Sequence, residues 1–176
     1  GKLVFDSSFE DLIGPGHRLQ VALYVASQQR LLDGLDALDL SSGTVSDLSP
    51  LAGLSSLGKL KVRGRAGADI RPLRDLTELS SLELRNFTTV KDLNVLAGLT
   101  QLTTLKLWNA KVLRDIHALW GLTKLTRLTI QGARSLDVTS LRELTGLKTL
   151  NIRGCEPTAG QVDALKSAMR SCHVIH

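Results

Sequence analysis

Apolar residues return along this chain at a fixed interval. Leu38, Leu60, Leu82, Leu105, Leu128 and Leu150 follow one another at steps of 22, 22, 23, 23 and 22 residues. Each has an apolar partner two places on: Leu40, Val62, Leu84, Leu107, Ile130 and Ile152. A second phase runs through Leu51, Leu73, Leu96, Leu119 and Leu141, and a third through Leu54, Leu76, Leu99, Leu122 and Leu144. The L-x-L pairs alternate with outward side chains, which predicts a strand with one face turned inward. One such unit cannot bury its own leucines, so columns that keep phase together predict a stacked repeat. Equivalent strands then lie side by side as a parallel sheet at roughly 4.8 Å spacing, and the leucine columns close into one continuous core.

Between strand and return every full unit carries an aspartate: Asp47, Asp69, Asp92, Asp115 and Asp137. The carboxylate precedes a short helical return, where it accepts free N–H groups and meets the positive helix end. The column therefore reads as a set of caps, not as a metal or catalytic site. The whole unit is L-x-x-L-x-L, a polar or small turn, an apolar residue, Asp, an aliphatic residue, two free positions, and L-x-x-L. From about Leu35 to Ile152 this resembles the leucine-rich repeat family, whose units run to about 20–29 residues. The short class found in internalins and in the leucine-rich regulatory subunit of protein phosphatase 1 is the nearest in pattern, since a D-[IL]-x-x-L segment is typical there. The resemblance implies an α/β solenoid, a curved right-handed superhelix. Its parallel β-sheet would line the concave face, with short 3-10 or helical returns on the convex face and a C-terminal capping helix.

One column departs from that family. Many relatives place Asn three residues after the L-x-L, but here the position is Gly43, Arg65, Phe87, Ala110, Ala133 and Cys155, with Asn86 and Asn109 one place earlier. No regular asparagine ladder is expected. Gly64, Gly132 and Gly154, which tolerate left-handed backbone, are expected to hold the turn instead.

The ends break the period, as capping units do. Residues 1–34 read as an N-terminal cap and a degenerate first repeat, 35–154 as the repeats and 155–176 as a C-terminal cap, all in one domain. Gly14-Pro15-Gly16 interrupts regular structure. Beyond it Leu19, Val21, Leu23 and Val25 alternate like a strand, while Leu19, Leu23, Ala26 and Arg30 would equally suit a helix. Thr158-Ala159-Gly160-Gln161 fits a capping box, and Val162, Leu165, Ala168 and Met169 share a helical face, so a helix of about three turns is expected to seal the last repeat. Val174 and Ile175 are expected to cover the open sheet edge.

With 176 residues, 43% hydrophobic and 3% aromatic, the core is expected to be built of leucine. No run approaches the roughly 18 apolar residues of a membrane span, and no secretory signal pattern opens the chain. The chain starts with Gly rather than Met, as an excised fragment or processed chain does. Two cysteines, Cys155 and Cys172, without a signal peptide favour free thiols and an intracellular, cytoplasmic setting.

The sequence contains no phosphate-binding glycine loop, H-E-x-x-H, nucleophile elbow or paired-cysteine metal spacing. A non-catalytic chain without cofactor or metal is the expectation. Cys172-His173-x-x-His176 falls short of the about four ligands of a functional metal site. Arg63-Gly64-Arg65-Ala66-Gly67 reads as a flexible turn rather than an RNA-binding segment.

Function is therefore sought on the outward strand positions. The residue inside each L-x-L forms the column Asp39, Lys61, Glu83, Lys106, Thr129 and Asn151. The residue after it gives Ser41, Arg63, Arg85, Trp108, Gln131 and Arg153, and the residue before the strand leucine gives Ala37, Lys59, Ser81, Thr104, Arg127 and Thr149. The candidate partner-binding residues are Lys61, Arg63, Glu83, Arg85, Phe87, Lys106, Trp108, Arg127, Gln131 and Arg153. Glu83 interrupts the positive field, Trp108 beside arginines has the composition of an interface centre, and Phe87 would extend that patch. Trp120 is expected to pack between repeats on the convex side. A net charge of +5 and a pI near 9.5 favour an acidic partner. The leading expectation is a monomeric protein-recognition module, free-standing or the arm of a larger protein, that does not engage membranes. Nucleic acid or another polyanion is the second reading, weakened because single-strand binding uses several aromatics in line.

Overall fold

The computed structural model describes residues 2–4, 32 and 34–176 of the chain. The strand or helix expected between Leu19 and Arg30 lies outside the described residues, as does most of the expected N-terminal cap.

The strands are β1 (Lys2–Val4), β2 (Ala37–Val45), β3 (Lys59–Gly64), β4 (Ser81–Arg85), β5 (Thr104–Trp108), β6 (Arg127–Ile130), β7 (Thr149–Asn151) and β8 (His173–Ile175). They form one sheet in sequence order with every neighbouring pair parallel. The predicted register holds residue for residue through the repeats: Leu38, Leu60, Leu82, Leu105, Leu128 and Leu150 are successive partners. All six are buried, as are their partners from Leu40 to Ile152. The leucines of both return columns join them, so the core runs the length of the sheet as one cluster.

Among the described residues five 3-10 returns face the sheet across that core: Ser49–Leu51, Arg71–Asp75, Asn94–Leu96, His117–Gly121 and Val138–Glu143. Each follows its aspartate, whose Oδ1 accepts the N–H two residues on. The distances are 2.8 Å from Ser49, 2.9 Å from Arg71, 3.1 Å from Asn94, 2.8 Å from His117 and 2.9 Å from Thr139. A 3-10 turn advances the chain in few residues, which lets a short unit return to the sheet. A strand on one side and a tight return on the other make a curved leucine-rich solenoid with the sheet inside the curve.

A hydroxyl ladder that the leucine pattern does not announce ties the feet of the strands. Ser80 Oγ donates to Gly58 O at 3.0 Å, Thr103 Oγ1 to Ser80 O at 2.9 Å and Thr126 Oγ1 to Thr103 O at 3.2 Å. After the strands, the chain turns at Asn86 (φ 62°), Asn109 (φ 60°), Gly132 (φ 74°) and Gly154 (φ 72°). Asn and Gly are the residues that enter left-handed backbone at least cost. The asparagine ladder is two rungs long, with Asn109 Nδ2 donating to Asn86 Oδ1 at 3.1 Å.

At the far end α1 (Ala159–Ala168) begins at the predicted box: Gln161 N–H donates to Thr158 Oγ1 at 3.3 Å, and Thr158 N–H donates to Gln161 Oε1 at 2.9 Å. Val162, Leu165 and Met169 are buried against the last repeat, whereas Ala168 of the expected face points to solvent. β8 then covers the edge of β7 with Val174 and Ile175 half-buried.

Candidate functional site

The pleat that sends leucines inward sends the intervening side chains onto the concave face, and the register places them in rows. Asp39, Lys61, Glu83, Lys106, Thr129 and Asn151 are strand partners in succession, as are Arg63, Arg85 and Trp108. The row through Trp108 ends there as a paired row, because β6 stops at Ile130 one residue before Gln131. Ser41 is out of step with Arg63, since β2 slips between Leu40 and Val45.

The centre of the face is a three-residue cluster. Glu83, only 7% exposed, is a buried charged residue, and such a carboxylate needs a partner. Arg85 supplies it, with Nε at 2.6 Å and Nη2 at 2.5 Å from Glu83 Oε1. The same guanidinium lies over the Trp108 ring, 5.1 Å from its centroid, within cation–π range. Arg85 is thus fixed from two sides while remaining partly open to solvent. Trp108 is half-buried, and its indole Nε1 is enclosed without a hydrogen-bond partner among the described residues. Beneath it lies a small apolar cavity of about 20 Å³ between Leu84, Phe87, Leu107 and Leu113.

Around this centre the charges are graded. Lys61 Nζ is 3.3 Å from Asp39 Oδ2. Burial raises the Asp39 carboxyl, but hydrogen bonds from Ser41 and Lys61 outweigh it and hold the group below its ordinary value. Arg127 Nε donates to Thr104 Oγ1 at 3.2 Å. Lys106 and Arg63 are half-exposed and Arg153 is exposed, and among the described residues none of the three is in an ion pair. Gln131 is half-buried, its main chain bonded to Leu107 and Ala110.

Two expectations are corrected. Phe87, proposed to extend the exposed patch, is 5% exposed and part of the core. Its ring fills the space above Gly64, where a Cβ would stand 2.8 Å from Phe87 Cζ; the signal was a glycine one repeat back, beside a large aromatic. Trp120, expected to pack between repeats, is 42% exposed. The inward columns Leu119 and Leu122 already fill that return, so the residue between them faces outward. The indole meets the His117 ring at a tilt of 58° with centroids 4.4 Å apart, and His117 Nδ1 lies 2.5 Å from Asp115 Oδ1.

Among the described residues no cluster of His, Cys, Asp or Glu is arranged to hold a metal, and no helix is long and apolar enough to cross a membrane. Cys155 and Cys172 are free thiols, and burial pushes both upward in pKa.

Repeat, register and capped returns together define a leucine-rich repeat solenoid fold. No family model and no curated protein matches the chain. Solved structures do. An internalin from Listeria monocytogenes superimposes with a TM-score of 0.60 at 28% identity over 80% of this chain and 40% of its own. A leucine-rich repeat protein of Leptospira interrogans gives 0.57 at 15% identity, over 85% of this chain and 45% of its own. Internalin C2 from Listeria monocytogenes gives 0.54 at 22% identity, over 96% of this chain and 86% of its own. The chain therefore spans less than half the length of the first two.

Proposed function

We propose that the chain is a protein-recognition module that binds an acidic partner surface on its concave face, as a monomeric domain or as the arm of a larger protein. One observation carries the reading: Arg85 is anchored by Glu83 and stacked on Trp108, so a charged and an aromatic anchor stand pre-organised at the middle of the sheet. Aromatic and arginine side chains of this kind dominate interface energetics, and fixing them beforehand lowers the ordering cost of binding. Lys61, Arg63, Lys106, Arg127 and Arg153 surround the anchor with positive charge that steers an acidic surface inward, and Gln131 offers an uncharged contact at the rim. Two unpaired thiols support an intracellular setting.

Immobilised wild type and a Trp108→Ala/Arg85→Glu variant, each verified as folded by thermal melt, are exposed to lysate of the source organism. Loss of a discrete bound protein in the variant is the expected result. Equal recovery would defeat the reading, and salt-sensitive retention of random-sequence oligonucleotides instead of protein would replace it with polyanion binding.

A further inference from the structure

Units in this solenoid are not all one length, and the two longer ones pair with each other beyond the concave strands. Thirteen residues separate Leu60 from Leu73, but fourteen separate Leu82 from Leu96 and Leu105 from Leu119. The two longer units stay in step. Lys91 C=O accepts the N–H groups of Arg114 at 2.9 Å and Asp115 at 3.2 Å, and Asp92 forms a parallel bridge with Asp115. On its other flank the longer unit meets the shorter one that follows β3. There, among the described residues, no backbone hydrogen bond joins residues 67–71 to 89–92. Between the two segments lies an open groove of about 620 Å³, within the usual range of about 300–1,000 Å³ for binding clefts.

Charge in the walls is uneven. Asp69 is occupied by the Arg71 N–H at 2.9 Å and by Arg71 Nε at 2.6 Å, and Asp92 accepts from Asn94 N–H at 3.1 Å. Arg74 and Lys91, from opposite walls, are exposed and form no ion pair among the described residues. Val90 and Val95, both half-buried, give the groove an apolar component between those cations.

We propose that this groove is a second binding site, which takes an extended acidic peptide segment lying between residues 67–71 and 89–92. An extended chain sends alternate side chains to opposite sides. It can therefore place carboxylates toward Arg74 and Lys91 and small apolar groups toward Val90 and Val95. Its main chain supplies the hydrogen-bonding edge that Arg114 and Asp115 supply on the other flank, which is recognition by strand addition. A lone oxyanion would match the two cations and leave the apolar wall and main-chain edges unused.

The site is independent of the concave face, and its test separates the two. ¹⁵N-labelled protein is titrated with a blocked heptapeptide alternating glutamate and valine. Shifts at the amides of Ala68, Asp69, Lys91 and Asp92 are expected. In an Arg74→Glu/Lys91→Glu variant binding weakens by about tenfold or more, as reversal of close charge pairs implies, while Lys166→Glu, an exposed charge on α1, leaves it unchanged. Equal binding of a lysine–valine peptide, the same shifts with inorganic phosphate alone, or shifts confined to the concave strands would each overturn the proposal. Both substituted side chains are exposed, and an unchanged melting temperature verifies that lost binding is not lost folding.

Discussion

Alanine at position 64 puts a methyl carbon 2.8 Å from Cζ and 2.9 Å from Cε1 and Cε2 of Phe87, closer than carbon atoms approach. The ring is 5% exposed and packed in the core, so it has little freedom to withdraw. Overpacking of this kind costs about 1–3 kcal/mol. Phe87→Ala removes the ring and leaves a cavity, at about 3–5 kcal/mol. In the double variant the new methyl enters the space the ring vacates, so the two costs do not add. The coupling between the sites should be about 1–3 kcal/mol in the favourable direction. For a chain of this length 1 kcal/mol moves the melting temperature by about 2–4 °C, so calorimetry on the four proteins resolves the cycle. Gly64→Ala should melt lower by several degrees and Phe87→Ala lower still, with the double variant no lower than Phe87→Ala. Strictly additive losses would refute the packing. So would a Phe87→Ala protein within about 0.5 kcal/mol of wild type, the range of ordinary surface substitutions.

Further outcomes follow from the same contacts. Asp137→Ala removes the acceptor for Thr139 N–H and should cost about 1 kcal/mol in a thermal melt, with Asn largely restoring it; no loss would remove the capping role. Acid should act through the carboxyls held below their ordinary 3.8. Among them are Asp69 by the Arg71 N–H, Asp115 by the His117 N–H, Asp137 by the Thr139 hydroxyl, and Asp39 by Ser41 and Lys61 against its burial. Their folded values are depressed, so their contribution is present above 3.8 and lost as pH falls below it; a melting temperature that held or rose between pH 4 and 2 would contradict this. Leu165, fully buried on the inner face of α1, should cost about 2–5 kcal/mol when cut to alanine, and an unchanged urea midpoint would mean that the helix does not seal the repeats.

The leucine and aspartate columns were legible because each answers to a single periodic demand: a core position or a helix start in every unit. The column holding Phe87 answers to several. Arg65 is exposed in it, Ala110 half-buried, and Ala133 and Cys155 buried, so position alone did not decide burial; the neighbouring Gly64 did. Trp120 misled through residue type, since a large aromatic is usually packed, yet it falls between two inward leucines that leave it outside. On the concave face the columns were legible from the alternation, but the clasp of Glu83, Arg85 and Trp108 depends on side-chain reach across strands. The change from 22 to 23 residues was visible in the spacing, whereas the groove beside the first longer unit depends on backbone pairing on one flank and its lack on the other.

Concave-face recognition is most directly tested by lysine acylation of the chain, free and bound to a captured protein partner. Lys59, Lys61 and Lys106 lie on the outward strand positions, whereas Lys124 and Lys166 lie beyond the strands, on the chain following a return and on α1. Partner binding should shield the first three and leave Lys124 and Lys166 as reactive as in the free protein. Protection of Lys124 and Lys166 with Lys59, Lys61 and Lys106 still fully modified would contradict the account.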